Sequence, residues 1–165
     1  MPKQIREIRV NGNIAYVPLT KGYEAVIDAE NVPLVAGFNW TAMLSKGTVY
    51  AYRKHMKINI FLHRVIAGDP VGMEVDHISG NTMDNRMVNL RPATRLQNGK
   101  NLTKHRAGKA KYKGVSWGKS NSKWQAQIYS DGVKRHLGYF RCQTVAALAY
   151  IKASTEMHGE FGRPK

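Results

Sequence analysis

The 165-residue chain contains a single cysteine, Cys142, and few acidic side chains. One cysteine excludes an internal disulfide framework and a zinc site built from several thiolates. The chain has no run of about 18 apolar residues, so the sequence predicts no transmembrane helix. Its first ten residues, MPKQIREIRV, give no apolar signal segment. These absences predict a cytoplasmic protein with no membrane partner.

Basic residues are in large excess. The chain has 26 Lys and Arg against 11 Asp and Glu, a net charge of +15. Thirteen of the basic residues, but only three of the acidic ones, lie in residues 102–165. The hydrophobic fraction of 42% is enough for packed cores and excludes a wholly disordered basic tail. A polyanion is therefore the expected partner.

The sequence pattern divides the chain into four segments and predicts an α+β fold. Residues 1–60 indicate short strands and form a β-rich N-terminal segment. Residues 61–101 have the order strand, long polar loop, short strand and helix. Residues 102–111 form a basic linker, which can be solvated or can lie along the phosphates of a duplex. Residues 112–160 predict a three-stranded antiparallel sheet packed on one helix.

The second strand of that C-terminal sheet has two distinct faces. Because side chains alternate along a strand, one face carries Trp124, Ala126 and Ile128 and the other carries Gln125, Gln127 and Tyr129. We expect the first face to pack on the helix, which begins with Thr144 as its N-cap. The second face points outward, and a sheet of this kind can lie in the major groove of DNA.

Four polar residues of the 61–101 segment form a candidate catalytic set. Adjacent strand residues point to opposite sides, so Asp76 and His77 can address two different atoms of one site. A carboxylate suits a hard divalent cation such as Mg²⁺, whereas a neutral imidazole suits proton abstraction near pH 7. The amide oxygen of Asn98 can complete the coordination, and Asn89 lies between them in the sequence.

Several short motifs of this segment resemble the HNH nuclease motif of phage and intron homing endonucleases. They are Leu62-His63-Arg64, Val75-Asp76-His77-Ile78-Ser79-Gly80-Asn81, Asp84-Asn85-Arg86, Asn89-Leu90-Arg91 and Gln97-Asn98. The resemblance implies a ββα-metal nuclease core over residues 61–101, with His77 as the general base and Asp76 and Asn98 as metal ligands. It also implies that hydrogen bonds of Asn89 hold the strand that bears His77 against the helix. The third position is Asn98 rather than His, which favours one Mg²⁺ or Mn²⁺ ion per active site over Zn²⁺.

Residues near this set have alternative interpretations. His63 can contact a phosphate, shape the site or have a structural role between strand and helix. Asn101 can replace Asn98 as the ligand. Asp84 and Asn85 are expected to cap the loop through bonds to backbone amides. Four arginines can contact phosphates or lie on a solvated surface: Arg64, Arg86, Arg91 and Arg95.

The C-terminal segment resembles the ethylene-response-factor (APETALA-type) DNA-binding domain. The motifs are Tyr-Lys-Gly-Val from Tyr112, Lys-Trp-Gln-Ala-Gln-Ile from Lys123, Leu-Gly-Tyr-Phe from Leu137 and Ala-Ala-Leu-Ala-Tyr from Ala146. The resemblance implies that six strand residues meet DNA: Lys113, Ser116, Gln127, Tyr129, Lys134 and His136. Ser116, Tyr129 and His136 replace the expected Arg or Trp, so the plant target sequence does not carry over.

Together the segments resemble HNH homing endonucleases of phages and mobile elements. That resemblance implies a site-specific endonuclease that acts on double-stranded DNA, leaves 5′-phosphate and 3′-hydroxyl ends, and works in the host cytoplasm if phage-encoded. No obligate protein partner is expected; a monomer nicks one strand, and a double-strand break needs a homodimer or two events. A DNA-binding regulator with an inactive HNH remnant is the main alternative. A basic RNA-binding protein explains the charge but neither motif. Residues 1–60 can extend the DNA surface or buttress the nuclease core.

Overall fold

A computed structural model describes residues 4–45, 47–101 and 110–162. The chain divides into two compact units, Met1–Arg95 and Leu96–Lys165. The division falls inside the segment 61–101 that the sequence pattern treats as one core. Most of the predicted basic linker, residues 102–109, lies outside the described residues. The described residues form several small antiparallel sheets and few helices, which confirms a mixed α and β architecture.

The first unit is built mainly from strands. In chain order they are β1 (Arg9–Asn11), β2 (Ile14–Pro18), β3 (Glu24–Asp28), β4 (Thr41–Ser45), β5 (Thr48–His55), β6 (Ile58–Phe61), β7 (Glu74–His77) and β8 (Leu90–Ala93). The helices that accompany them are α1 (Val32–Val35) and α2 (Leu62–Ile66), with single 3₁₀ turns at Thr20–Gly22, Ala29–Asn31 and Met87–Asn89. Helix α3 (Arg95–Asn101) begins at the last residue of this unit.

These strands pair with their neighbours in sequence. Strands β1, β2 and β3 form one antiparallel sheet, β4, β5 and β6 form a second, and β7 pairs with β8. Strands β1 and β2 form a hairpin, in which Asn11 pairs with Ile14 around Gly12 at a φ of 58°. Strand β4, which the sequence pattern did not indicate, pairs with β5, with Thr41 opposite Tyr52 and Ser45 opposite Thr48.

One hydrophobic core serves the whole first unit. It draws buried side chains from both predicted segments, including Val17, Ile27, Trp40, Leu62, Val75 and Leu90. The indole Nε1–H of Trp40 donates to the carbonyl of Val35 at 3.1 Å, so this buried ring leaves no orphaned donor. Residues 1–60 therefore share a core with the segment that carries the nuclease motif.

The long loop between β7 and β8, residues 78–89, docks on the edge of β3. The amide of Val26 donates to the Met83 carbonyl at 2.7 Å, and the amide of Asn85 donates to the Val26 carbonyl at 2.7 Å. The carboxylate Oδ2 of Asp28 accepts from the Met87 amide at 2.8 Å. A long polar loop cannot supply a core of its own, so these backbone bonds to a strand determine its conformation.

The second unit contains a three-stranded antiparallel sheet and a long helix. Its elements after α3 are β9 (Val115–Gly118), β10 (Lys123–Ser130), β11 (Val133–Phe140), α4 (Gln143–His158) and a 3₁₀ turn at Gly159–Phe161. Strand β10 is central, with β9 and β11 on its two sides. In the described parts of the chain, no helix is long and apolar enough to cross a membrane.

The predicted inner face of β10 packs on α4. Ala126 lies in a buried cluster with Ala146 and Ala147, and Ile128 lies in a second cluster with Tyr150. The alternation of β10 therefore identified the face correctly. The predicted cap at Thr144 was wrong: α4 begins at Gln143, and Cys142 occupies the N-cap position.

Gly114 allows the close approach of the sheet to α4. It has a φ of 70°, and a Cβ atom there would lie 2.0 Å from a ring carbon of the buried Tyr150. Gly132, in the hairpin between β10 and β11, has a similar φ of 77° but no atom within 4 Å of an added Cβ. Substitutions at these two glycines therefore distinguish the effect of backbone strain alone from that of strain combined with a steric clash.

We expect Gly114→Ala to destabilise the chain more than Gly132→Ala. The hairpin variant should cost about 1 kcal/mol for its left-handed backbone. The Gly114 variant should cost roughly 1–3 kcal/mol more, because the Tyr150 ring must move in a packed interior. Chemical denaturation of both variants measures the difference, and equal losses would contradict the predicted clash.

Candidate active site

His77 is the last residue of β7, and its buried side chain lies beside Asn85 and His63. It pairs with Leu90 of β8 and is 5% exposed. Its Nε2 lies 3.2 Å from Oδ1 of Asn85. Burial lowers the pKa of His77, and the hydrogen bond to Asn85 and the charge of Asp76 oppose that shift. The net direction favours a neutral imidazole, which is the form that can accept a proton.

His63, on α2, packs directly against His77. The two ring centroids are 5.1 Å apart and the rings are nearly perpendicular. Burial, with further contributions from His77 and Arg64, lowers the pKa of His63 to about 3. His63 also contacts the ring of Phe61, with centroids 5.5 Å apart. His63 is therefore neutral and adds no positive charge beside His77.

Asp76 forms a buried ion pair with Arg91. The two residues lie opposite each other on β7 and β8. Oδ2 of Asp76 accepts from Nη2 of Arg91 at 2.7 Å and from Nε at 3.0 Å. Only 4% of Asp76 and 8% of Arg91 are exposed. This pairing orients the carboxylate, and it gives Arg91 a buried position that does not favour contact with a phosphate.

Asn89 fastens the loop that follows β7. Its Oδ1 accepts from the Ser79 amide at 2.9 Å, and its Nδ2 donates to the carbonyls of Asn81 at 3.3 Å and Asp84 at 2.7 Å. The Ile78 amide also donates to the Asn89 carbonyl at 2.9 Å. These bonds join Asn89 to the 78–89 loop, whereas the sequence predicted that they would hold the strand against the helix. These hydrogen bonds fix the conformation of the loop immediately after His77.

The contact of Asn85 with His77 was not foreseen from the sequence. It is 1% exposed, and its Nδ2 donates to the carbonyls of Thr82 at 3.3 Å and Met83 at 3.2 Å. We expected Asn85 to cap backbone amides, but its side chain bonds two carbonyls and His77 instead. Its place eight residues after His77, in a polar loop, gives no local signal for this contact.

Two further arginines of the predicted phosphate-binding set are ion-paired within the chain. Arg64 donates from Nε to Asp69 at 2.5 Å and from Nη1 to the Met73 carbonyl at 3.0 Å, which braces the turn before β7. Arg86 donates to both carboxylate oxygens of Asp84, at 2.8 and 2.6 Å. The hydrogen bond from Arg86 lowers the pKa of Asp84. Arg95, at the start of α3, is exposed.

The remaining members of the predicted metal site lie on α3. Asn98 and Asn101 belong to the second unit, where Asn101 is buried. Their coordination of an ion together with Asp76 remains a prediction from the spacing, as does the ββα-metal core. Within the described ranges, no group of three or more His, Cys, Asp or Glu is arranged to hold a metal ion. One carboxylate and amide oxygens are nevertheless the kind of donors that Mg²⁺ takes, because it keeps several waters.

Five of the six predicted DNA contacts of the second unit lie on its sheet, whereas Lys113 lies in a turn before β9 and not on a strand. Ser116 pairs with Gln125, Gln127 pairs with His136, and Tyr129 pairs with Lys134. Tyr129, Lys134 and His136 are exposed. Lys113 is half-buried and donates from Nζ to the Lys100 carbonyl at 2.6 Å. The outer face therefore presents Lys134 and several planar polar groups to solvent.

Known proteins match the segment that carries these residues. Residues 61–100 match the family model described as HNH endonuclease. Protein 3.8 of Escherichia phage T7 is 30% identical over 94 residues, which are 57% of this chain and 77% of that protein. An uncharacterized HNH endonuclease of Acanthamoeba polyphaga mimivirus is 27% identical over 148 residues, 87% of this chain and 75% of that protein. No solved structure matches the chain.

The match of residues 61–100 to this model, together with the mimivirus relative, supports a nuclease of the HNH class. Residues 61–100 are an HNH endonuclease domain by this match, and the chain belongs to one family with protein 3.8 of Escherichia phage T7. A nuclease domain of this class implies DNA as the substrate, and such enzymes generally use a divalent metal ion. The resemblance of residues 112–160 to the ethylene-response-factor domain is not supported by these matches.

The lowered pKa of His63 predicts a loss of stability in acid. In the unfolded chain His63 titrates near 6.5, whereas in the folded chain it titrates near 3. Between these values the unfolded state binds more protons, so the stabilisation is complete above pH 6.5 and decreases as the pH falls toward 3. At pH 5 this one residue should cost at most roughly 2 kcal/mol.

Urea denaturation at pH 8 and pH 5 tests this expectation. In His63→Gln the difference in unfolding free energy between the two pH values should be smaller than in the wild type. The matched control is His55→Gln, on the exposed end of β5, which should keep the wild-type difference. An unchanged pH dependence in His63→Gln would show that the buried histidine is not its source.

Proposed function

We propose that this protein is a site-specific DNA endonuclease of the homing type, which hydrolyses one phosphodiester bond per active site with a divalent metal ion. It nicks duplex DNA and leaves 5′-phosphate and 3′-hydroxyl ends. The observation that carries this proposal is the buried His77 beside the oriented carboxylate of Asp76, within the segment that matches the HNH endonuclease model.

His77 acts as the general base. Its imidazole takes a proton from a water molecule, and the resulting hydroxide attacks the phosphorus in line with the leaving 3′ oxygen. Burial favours the neutral form of His77 before the reaction. The nearby charge of Asp76 favours the imidazolium that forms during the reaction. The packing of His63 and the hydrogen bond to Oδ1 of Asn85 restrict the orientation of the ring.

Asp76 and Asn98 would hold the metal ion. Bound Mg²⁺ or Mn²⁺ would neutralise charge on the scissile phosphate and on the leaving oxygen. Arg91 orients the Asp76 carboxylate through two hydrogen bonds to Oδ2. These residues supply hard oxygen donors, which agrees with a hard cation and not with a thiolate site.

The C-terminal sheet would hold the enzyme on its target. The resemblance to an ethylene-response-factor domain supplies the geometry, in which the outer face of the sheet enters the major groove. Support comes from its exposed Tyr129, Lys134 and His136, with α4 covering the opposite face. The strong positive charge of this part of the chain agrees with a DNA surface.

The decisive test is nicking of supercoiled plasmid with Mg²⁺. The wild type should convert plasmid to the open-circular form, and EDTA should abolish the reaction. His77→Ala should reduce the rate by about 10²–10⁴-fold, the usual contribution of a general base. His55→Ala, at an exposed position, is the matched control and should cleave like the wild type.

Binding without cleavage, across several plasmids, divalent metals and a phage-derived substrate, would contradict the endonuclease and favour the DNA-binding regulator. The buried pairing of Asp76 with Arg91 is the observation that keeps this second candidate open, since an arginine already neutralises the carboxylate. Cleavage that survives His77→Ala would contradict the assignment of the base.

The sheet surface makes a separate prediction about affinity. Lys134→Ala should weaken DNA binding and reduce the slope of log K against log salt concentration by about 0.9, because one phosphate contact is lost. Lys152→Ala is the matched control, since Lys152 is exposed on α4 and the helix covers the other face of the sheet. Fluorescence anisotropy at several salt concentrations measures both slopes. Equal slopes for the two variants would contradict binding through the sheet.

A further inference from the structure

Asn85 has only one side-chain orientation that satisfies its surroundings. Its amide nitrogen faces two carbonyls, of Thr82 and Met83, which accept hydrogen bonds but cannot donate them. The opposite orientation would set its carbonyl oxygen against both of these acceptors. At 1% exposure the cost of such an arrangement would not be relieved by solvent. Oδ1 of Asn85 must therefore be the atom that faces His77.

This orientation decides the protonation pattern of His77. An amide oxygen only accepts, so Nε2 of His77, 3.2 Å away, must carry the hydrogen. In a neutral imidazole the other nitrogen, Nδ1, then holds the lone pair. Proton transfer breaks an O–H bond of water and forms an N–H bond at Nδ1, while Nε2–H continues to donate to Asn85. The imidazolium formed in this way keeps an oxygen acceptor, which stabilises its charge.

We infer that Asn85 is a positioning residue that holds His77 in the Nε2–H tautomer and so makes Nδ1 the nitrogen that accepts the proton. This inference rests on the proposed role of His77 as the general base. Asn85 does not touch the reacting atoms and acts only through the imidazole.

The N-terminal segment takes part in this arrangement through β3. The backbone amide of Asn85 donates to the Val26 carbonyl at 2.7 Å. The preceding residue, Asp84, forms a parallel β-bridge with Val26. The Val26 amide in turn donates to the Met83 carbonyl at 2.7 Å, and that carbonyl is also an acceptor for the Asn85 side chain. A continuous set of hydrogen bonds thus connects β3 with the imidazole. Residues 1–60 serve the active site by holding Asn85 in position.

Nitrogen-15 NMR of the His77 side chain in the full-length chain tests the inference directly. At pH 8 without metal, the wild type should show the hydrogen on Nε2. Asn85→Ala should give a mixture of tautomers and should lower kcat for plasmid nicking about tenfold or more, short of the ~10²–10⁴-fold loss expected without the base. KM for DNA should not change, because Asn85 is buried and has no surface with which to contact DNA.

A second variant separates positioning from a general loss of structure. Asp28→Ala removes the carboxylate that accepts from the Met87 amide, so it weakens the docking of the loop but leaves the Asn85–His77 contact. It should lower the unfolding free energy while the tautomer stays as in the wild type. If Asn85→Ala does not fold, the wild-type tautomer alone remains decisive.

The outcomes distinguish this inference from the proposed function. A hydrogen on Nδ1 in the wild type, or a folded Asn85→Ala with unchanged tautomer and kcat, would overturn the role of Asn85. A wild type that shows the Nε2–H tautomer but never nicks DNA would overturn the endonuclease and the catalytic purpose of the contact, while leaving the geometry itself supported.

Discussion

The backbone pairing between β3 and the 78–89 loop is the interaction on which the rest of the candidate site depends. This loop is long, polar and rich in Asn and Asp, so it buries little apolar surface that could hold it in one shape. The edge of β3 supplies backbone donors and acceptors that match those of Met83 and Asn85. Once that pairing forms, the side chains of Asn85 and Asn89 donate to carbonyls of the loop. Oδ1 of Asn85 then lies 3.2 Å from Nε2 of His77 and restricts the orientation of its ring.

Burial then determines the electrostatics around His77. Two histidines with ring centroids 5.1 Å apart would repel strongly if both were charged, and desolvation keeps both near neutrality at pH 7. The charges that remain belong to Asp76 and Arg91, which are paired across β7 and β8. Such a pair contributes orientation more than net stability, because the desolvation of both groups offsets much of their attraction. Because His63 is buried in its neutral form, the folded state is expected to lose stability in acid.

The packing of the second unit depends mainly on side-chain alternation along β10. Alternation along β10 sends Ala126 and Ile128 into the core with the alanines of α4, which permit a close approach. Gly114 permits that approach at the position where the ring of Tyr150 leaves no room for a side chain. The consequence is a thin sheet with one covered face and one exposed polar face, which agrees with a surface that can lie against a duplex.

Local patterns predicted most strands and helices, because alternation and turn residues act over a few positions. They also indicated the HNH motif, since its residues keep a recognisable spacing from His63 to Asn98. Other features depended on contacts between segments far apart in the sequence. The ion pair of Arg91 with Asp76, the bond of Asn85 to His77 and the docking of the loop on β3 each join residues that no local pattern connects. The sequence by itself determined which residues are available for chemistry and the approximate positions of most strands. Only the tertiary structure decided which of these residues are buried together, because hydrogen-bond partners and desolvation are properties of the packed chain.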